Sequence, residues 1–558
     1  MAILPLASKP TPKTAAIPSL AGESEPSLFR IFLRVVIWYT PRTKEGREKG
    51  TAERELMTNH TTKKLSVFEK AGYSLGDGAA NFVFMTMILF QLSFYTDTMG
   101  IAAAVAGTLL LVGRLWDAFF DPMIGVMADR TNTRWGKFRP WVIGTAIPWA
   151  VVMVLAYTVP GWSYTSTLVY ALVTNILLMT LYSANNTPYS AMTAAMTGDV
   201  NERTSLSSYR FVAAMIAQLI VGGFTLPLVA KLGQGDNAKG WQMTIGLWAI
   251  ICVICFVITF LSTRERIQPP PEQKVSIKES FGTLVKIVPW IAMFIVTVLH
   301  FTANSMRDGT VFYYFQYYVD KARLLEFLQR VGLPDASQAT NGGLWYSLLN
   351  VFGLVINADR SNVSSVGFSL WNMSAQFVLV VGVMFSTWLS IRFGKKAVAM
   401  VGFALTTIFM ACFILLPANA IWATFVLVWF RSLVYAPTIP LLWAMFADVV
   451  DFSEWKTGRR TAGVIYATIL FGLKAGLSLG GFLAGWLLSI YGYQANVQQT
   501  EHALTGIRML ISVYPALLYM VIVGALLYYP ISKKLNLQIQ DELAERRTQY
   551  APPQQVQA

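Results

Sequence analysis

The sequence has 558 residues, of which 54% are hydrophobic and 13% are charged, and its mean hydropathy is +0.49. Soluble domains carry roughly 25% charged residues, so this composition excludes a soluble protein. Apolar runs from about residue 75 to residue 530 also exclude a soluble domain on a single anchor. The net charge of +14 does not indicate a nucleic-acid partner, because Lys and Arg lie in short gaps between apolar runs.

Hydrophobic windows of about twenty residues, the length that a helix needs to cross a bilayer, occur twelve times in the sequence. We number these predicted spans 1 to 12: 72–98, 101–128, 140–160, 166–196, 207–232, 241–262, 286–319, 366–392, 397–416, 419–448, 462–491 and 505–530. The sequence therefore predicts an all-α membrane protein with twelve transmembrane helices.

Lys and Arg are distributed unevenly between the gaps that separate the spans. They are present after spans 2, 4, 6, 8 and 10, whereas the gaps near residues 99, 162, 417 and 495 contain neither. Because basic gaps stay on the cytoplasmic side, we predict a multi-pass protein of the cell (inner) membrane. It is embedded in the lipid bilayer with both termini cytoplasmic.

The sequence divides into two halves of six spans each. A polar segment that begins Pro269-Pro-Pro-Glu lies between spans 6 and 7, and Ala195–Val200 after span 4 resembles Ala444–Val449 after span 10. Parallel repeats of this kind build transporters with two bundles and a cavity at the midplane. The predicted organisation is a disordered cytoplasmic tail (1–65), a six-helix bundle (66–263), a cytoplasmic linker (264–285), a second six-helix bundle (286–530) and a cytoplasmic tail (531–558).

Residues 320–365, between spans 7 and 8, form an insertion that we predict to lie outside. The segment Lys321–Arg330 has the spacing of an amphipathic helix, which could cover the outer vestibule. The alternative is a solvated insertion with no role in transport.

Span 2 carries three charged residues in an otherwise apolar run: Arg114, Asp117 and Asp121, at positions i, i+3 and i+7. Each costs about 2.5–3.5 kcal/mol at the bilayer centre, so the stripe must face the protein interior. Two carboxylates one turn apart provide oxygen ligands for a small hard cation, or a site for a proton. The alternative is a structural cluster in which Arg114 neutralises one Asp, which leaves the second without a partner.

Span 7 contains a second polar cluster, His300–Gly309, which includes the adjacent residues Arg307 and Asp308. At about 1.5 Å per residue, these residues lie near the middle of the bilayer. Two interpretations stand. The pair stabilises an interruption of the helix at Gly309, or it lines the cavity and Arg307 binds substrate oxygens bidentately.

The loops contain no His/Cys metal spacing, no nucleophile elbow and no Walker loop. The sequence therefore predicts that the protein is not an enzyme, needs no cofactor and is not driven directly by ATP. Secondary transport of a small molecule is the remaining interpretation.

Three motifs together resemble one family of transporters. They are Arg114–Pro122, Thr133–Pro140 and Asp448–Trp455, and they accompany the loop signature Gly125-x-x-x-Asp129-Arg130 of the major facilitator superfamily. Over about residues 66–530, without the insertion, the sequence is similar to the glycoside–pentoside–hexuronide:cation symporters. This resemblance implies the major facilitator fold and a functional monomer that works by alternating access. It also implies uptake of a sugar or glycoside with a coupling cation, Na⁺ or H⁺; the alternative is an uncoupled or non-sugar small-solute facilitator.

By resemblance, the cation site consists of Asp117, Asp121, Ser183 on span 4 and Lys474 on span 11. The Asn that the family carries directly before the second carboxylate is replaced here by Phe120. One side-chain ligand is therefore missing, which leaves both Na⁺ and H⁺ as candidate coupling ions. Lys474 requires a partner in the protein interior, and the carboxylates of span 2 are the expected ones.

The resemblance also implies a sugar site, which departs from the family pattern. Two carboxylates of melibiose-type carriers correspond here to amides, which lack charge-assisted bonds to hydroxyls. With two residues of span 7 included, the expected substrate residues are Asn81, Asn186, Arg210, Tyr182, Tyr189, Arg307 and Asp308. The tyrosines either offer aromatic faces to a sugar or pack between helices. Loss of two negative charges beside arginines favours an acidic sugar, with a neutral glycoside as the alternative.

Charged residues at the cytoplasmic ends of the two halves predict a gate that closes the cytoplasmic side through ion pairs. A partly desolvated network contributes more than isolated surface pairs, which give about 0–1 kcal/mol. The first half would provide Asp129, Arg130 and Arg139, and the second half Asp448, Asp451 and Glu454.

Overall fold

The computed structural model of the protein describes residues 64–197, 199–266, 284–337, 343–458 and 462–549. Within these ranges the regular secondary structure is helical, and twelve helices are long and apolar enough to cross a membrane. Each corresponds to one predicted span, so the predicted twelve-span, all-α fold is confirmed. In chain order they are Val67–Thr98, Ala103–Arg130, Arg139–Ala156, Tyr164–Met196, Glu202–Gly233, Asn237–Ser262, Val288–Tyr318, Val363–Met384, Lys395–Leu415, Ile421–Thr457, Ala462–Ile490 and Glu501–Leu527.

Two predicted segments fall largely outside these ranges. Residues 1–63 of the predicted N-terminal tail and residues 267–283 of the predicted linker, which include the segment from Pro269, are not among the described residues.

Span 10 differs most from its prediction, because its helix ends at Thr457 rather than near residue 448. The apolar window ends there, but the helix continues with a buried face that includes Val449, Phe452 and Ser453. It stops at Gly458, which adopts the left-handed conformation with φ 67°. Hydropathy detects only the apolar part of a helix, so an extension that packs through one face is missed.

Spans 1 and 7 end alike. Their last residues, Phe94–Thr98 and Tyr314–Tyr318, form π-helical turns, a geometry that is frequent at functional sites. The two spans occupy corresponding positions in spans 1–6 (the first half) and spans 7–12 (the second half). The shared ending agrees with the repeat inferred from the sequence.

Three further helices lie outside the spans. The insertion contains α1 (Lys321–Arg330) and α2 (Leu344–Val351), and the predicted C-terminal tail contains α3 (Lys533–Gln549). The amphipathic helix predicted in the insertion therefore forms. The first turn of α1 is capped by Asp320, whose carboxylate accepts hydrogen bonds from the backbone amides of Ala322 and Arg323.

We call the side of the membrane on which the described chain begins and ends the terminal side, and the opposite side the far side. The two halves are joined by hydrogen bonds on the far side. The hydroxyls of Thr96 and Tyr313 lie 2.7 Å apart. Asp97 accepts a hydrogen bond of 3.2 Å from Tyr317 and another from the hydroxyl of Tyr493. These bonds connect span 1 with span 7 and with the end of span 11 on the far side.

Spans 2 and 11 approach each other closely across the boundary between the halves. A Cβ atom added to Gly485 would lie 2.4 Å from the carbonyl oxygen of Ala103 and 2.8 Å from the backbone of Gly107. Small residues permit such approach between membrane helices, and this contact holds span 11 beside the carboxylates of span 2.

Candidate functional site

Lys474 of span 11 connects the two carboxylates of span 2 across the boundary between the halves. Its Nζ lies 2.7 Å from Asp117 Oδ2 and also contacts Asp121 Oδ2. The Asp117 side chain is 3% exposed, whereas the side chains of Asp121 and Lys474 are 29% and 21% exposed. The ammonium group therefore occupies the position between the carboxylates, with Asp121 on the accessible side.

Two hydroxyls of span 4 complete this cluster. Ser183 donates a hydrogen bond to Asp117 Oδ1, and Thr187 donates one of 3.2 Å to Asp121 Oδ1. The hydroxyl residues are one helical turn apart, as are the carboxylates, so the two helices face each other in register. Sequence reasoning expected Ser183 but missed Thr187, although its spacing of four residues from Ser183 is a usable signal.

Arg114 lies close enough to Asp117 to act on it electrostatically, but without direct contact. Its guanidinium lies over the ring of Phe84, 5.3 Å from the ring centroid. In the described part of the chain it forms no ion pair with either Asp117 or Asp121. The Lys474 ammonium and the more distant Arg114 guanidinium face the two carboxylates, so a cation or proton that binds here competes with positive charges already present.

Arg210 is paired with a carboxylate that sequence reasoning missed. Its Nη2 lies 3.1 Å from Asp77 Oδ1 on span 1. The positive charge expected from Arg210 in the sugar cavity is therefore paired with Asp77. Asp77 lies one turn before Asn81, on the same face of the helix, and this spacing could have identified it.

Asn81 belongs to a chain of amides that crosses between the halves. Gln218 of span 5 donates a hydrogen bond of 3.3 Å to Asn81 Oδ1. Gln376 of span 8 donates one of 3.4 Å to Gln218 Oε1. Amide-to-amide bonds of this kind can be exchanged for bonds to the hydroxyls of a bound solute.

The two candidate tyrosines of span 4 differ in their surroundings. Tyr189 is 1% exposed, stacks on Tyr73 at 4.6 Å, and donates its hydroxyl to the Tyr73 carbonyl. Tyr189 therefore packs between helices, and its buried ring offers no face to a sugar in this state. Tyr182 is partly exposed, and its hydroxyl accepts a hydrogen bond of 3.4 Å from Asn186, so these two residues remain candidates for substrate contact.

The second half contributes two buried arginines. Arg307 is 4% exposed, lies over Trp371 with 5.1 Å to the ring centroid, and forms an ion pair of 3.0 Å with the half-buried Asp308. Arg431 of span 10 is 6% exposed and donates a hydrogen bond of 3.1 Å to Asn304 Oδ1. Its Nε has no hydrogen-bond partner among the described residues. Sequence reasoning missed Arg431, although it is a charge in an apolar span.

Two of the predicted gate residues, Asp448 and Arg139, make contacts within their own halves. Asp448 pairs with Lys395 at 2.6 Å, and Arg139 donates a hydrogen bond of 2.5 Å to the Phe260 carbonyl. Asp129 and Arg130 are exposed, and they form no ion pair within the described residues. Asp451 and Glu454 lie on the polar extension of span 10. A gate on the terminal side therefore stays a prediction for the state in which that side is closed.

The family model described as MFS/sugar transport protein matches residues 72–334 and 335–533. The inner membrane symporter YicJ of Escherichia coli (strain K12) is 30% identical over 498 residues, which cover 88% of this chain and 99% of that protein. The isoprimeverose transporter of Lactiplantibacillus pentosus is 31% identical, with 83% and 89% covered.

Two further comparisons bear on substrate and fold. The glucuronide carrier protein homolog of Escherichia coli (strain K12) is 29% identical, covering 85% of this chain and 95% of that protein. Among solved structures, the nucleoside transporter NupG matches with a TM-score of 0.55 at 12% identity, covering 82% of this chain and 98% of that one. At this identity the match with NupG supports the fold alone.

Proposed function

This chain belongs to the family of MFS/sugar transport proteins, and we propose that it takes up a sugar or glycoside by symport with a cation through alternating access. The observation that carries the proposal is the contact of Lys474 with Asp117 and Asp121 across the two halves. The relatives named as a symporter and as an isoprimeverose transporter support the same activity. The distribution of Lys and Arg supports cytoplasmic termini in a cell membrane, and we propose a functional monomer.

Coupling follows from competition for the two carboxylates. In the state described, the Lys474 ammonium compensates part of their charge and links span 11 to span 2. A cation that reaches Asp121 from the accessible side replaces the ammonium as the partner of at least one carboxylate. Because the link between the halves then weakens, cation binding alters the balance between the two states of the transporter.

Both Na⁺ and H⁺ fit the chemistry of the site. Asp117, Asp121, Ser183 and Thr187 provide oxygen atoms for a hard cation. Thr187 partly compensates for the amide ligand that Phe120 replaces. Either carboxylate alone can carry a proton, so the ligand set supports coupling without selecting the ion.

For the sugar we propose a site formed by the amides of spans 1, 5 and 8 and the arginines of the second half. Asn81, Gln218 and Gln376 offer exchangeable hydrogen bonds, and Tyr182 with Asn186 lies on the adjacent face of span 4. Arg307 pairs with Asp308, and the charge of Arg431 acts on Arg307 as well. This excess of positive charge supports an acidic sugar, and the similarity to a glucuronide carrier homolog agrees with it; a neutral glycoside is the alternative.

Uptake by purified protein in vesicles tests the proposal. Glucosides, galactosides, xylosides and glucuronides should each be offered with a Na⁺ gradient, a Li⁺ gradient or a proton gradient. We expect one class of glycoside to accumulate above equilibrium with one of the ions. If solutes only equilibrate under every gradient, while counterflow is active, the protein is an uncoupled facilitator and the proposal fails.

A further inference from the structure

The second helix of the insertion, α2, exposes a continuous apolar face. Leu344, Trp345, Leu348 and Val351 are 79%, 64%, 46% and 62% exposed. Successive residues of a helix are about 100° apart, so these four side chains share one side of α2. A cluster of this kind on a short helix requires a partner other than water.

The remaining two faces of α2 have different characters. Leu349 is buried and packs toward the protein, while Ser347 and Asn350 form an exposed polar face. The apolar, packed and polar faces are about 120° apart around the axis. This division into three is that of a helix that rests on protein, meets lipid on one side and meets water on the other.

The chain at the end of α2 packs against span 5 of the other half. The ring of Phe352 stacks on Phe224 with 4.5 Å between centroids and 25° between the planes. A Cβ atom at Gly353 would lie 2.5 Å from the Pro227 carbonyl oxygen, and the backbone there has φ +73°, which favours glycine. The insertion belongs to the second half, so these contacts fasten it to the first half.

The depth of α2 follows from Lys231. This residue is the first charge after the apolar run of span 5, and it lies two residues before the helix ends at Gly233. Its ammonium donates a hydrogen bond to the Asn350 carbonyl at the end of α2. Lysines at such positions extend toward the membrane surface, and tryptophan concentrates at the same level. Helix α2 therefore lies at the boundary between hydrocarbon and headgroups.

Helix α1 provides a contrast within the same insertion. Its exposed side chains are charged: Arg323, Glu326 and Arg330 are 62%, 43% and 65% exposed and form ion pairs along the helix. Its apolar face, which includes Leu324 and Phe327, is buried. The two helices thus differ in what they present: the outer surface of α1 is charged, whereas α2 exposes an apolar face.

We propose that α2 is a membrane-interface helix that inserts Leu344, Trp345, Leu348 and Val351 into the far leaflet of the bilayer. It thereby anchors the insertion to lipid beside span 5. Four side chains of one short helix do not supply the roughly 800 Å² per partner that a stable protein interface buries, which disfavours a second copy as the occupant. The proposal goes beyond sugar transport, since it depends on the bilayer and not on the substrate.

Quenching of single fluorophores tests this proposal. The variants Leu344→Cys and Leu348→Cys are made in a background in which Cys252, Cys255 and Cys412 are replaced by alanine. A small environment-sensitive fluorophore is attached to the single cysteine of each variant. Matched controls are Ser347→Cys on the polar face of α2 and Arg323→Cys on α1. The full-length proteins are reconstituted in phosphatidylcholine vesicles that contain either a nitroxide lipid labelled near the headgroup or external iodide.

We expect the probes at positions 344 and 348 to be quenched several-fold more by the nitroxide lipid than the probe at 323, and to be shielded from iodide. The probes at 347 and 323 should respond to iodide. Equal iodide quenching at 348 and 323 would refute the proposal, because the face would then be in water. Shielding of 344 and 348 from both quenchers, dependent on the protein-to-lipid ratio, would also refute it and would indicate a second copy.

Discussion

A lysine side chain fills the position between two carboxylates that an incoming cation would need. Removing one member of a buried ion pair typically costs about 3–5 kcal/mol, and the partial exposure of Asp121 and Lys474 reduces that cost. A cation can therefore replace this partly exposed ammonium at a lower net cost than it could replace a fully buried ammonium. The half-exposed geometry is therefore suited to reversible binding.

The arginines of the second half should determine preference between acidic and neutral sugars. Replacing Arg307 or Arg431 by Gln removes a charged donor, and hydrogen bonds to charged groups contribute about 1.5–3 kcal/mol. We expect a glucuronide to lose about tenfold or more in its ability to compete for uptake, while the corresponding glucoside changes little. Arg323→Gln on the exposed face of α1 is the control. An acidic sugar that competes no better than the neutral one in wild type would contradict the charge argument.

Some of these residues could be predicted from the sequence and others could not. Asp117, Asp121 and Lys474 are conspicuous because charges in apolar spans need partners. Asp77 and Thr187 could have been identified by their spacing from Asn81 and Ser183, but their partners depend on which helix faces meet, which one sequence does not reveal. Arg431 could have been found by applying to span 10 the rule that identified the others.

The contact between spans 2 and 11 is the element on which the site depends. We expect Gly485→Ala to lower thermal stability, because the added Cβ would meet the Ala103 carbonyl oxygen at 2.4 Å. Overpacking of this kind costs about 1–3 kcal/mol. Gly463→Ala, at the other end of span 11 with nothing within 4 Å of the added Cβ, is the matched control. Equal unfolding temperatures for both variants in detergent would argue against close packing at Gly485.

The far-side ends of spans 1, 7 and 11 form a second element, which we expect to close that side. Tyr493→Phe removes the hydroxyl that binds Asp97 across the halves. We expect faster modification of Asn81→Cys, in the cysteine-free background, by a maleimide that reaches only the far side. Tyr491→Phe is the matched control, because its hydroxyl binds Tyr514 within the second half at 2.6 Å. Identical rates in the two variants would mean that the Tyr493 bond does not hold the far side closed.

The number and approximate length of the spans could be predicted because each span is a continuous run of mostly apolar residues in the sequence. The extension of span 10 to Thr457 and the helix α3 could not, because polar helices that pack through one face leave little hydropathy signal. Helix α1 was detectable because its apolar residues recur at helical spacing between charged ones.

At the scale of the whole molecule, alternating access requires the terminal side to close when the far side opens. Asp448 pairs with Lys395 in its own half in the state described. We propose that closure exchanges this partner for an arginine of the first half. Asp448→Asn should then increase modification of a cavity cysteine from the terminal side, whereas Lys395→Gln, which removes the ion pair of Asp448, should decrease it. Changes in the same direction for both variants would exclude the exchange.

The central claim is that Asp117 and Asp121 couple solute movement to a cation. The most direct measurement compares accumulation under an ion gradient with counterflow in the absence of one, for Asp117→Asn and Asp121→Asn reconstituted in vesicles. Glu326→Gln, an exposed carboxylate of α1, is the control. We predict that both variants lose accumulation above equilibrium and retain counterflow, because the solute contacts lie elsewhere. Full accumulation by either variant would contradict the assignment of the cation site.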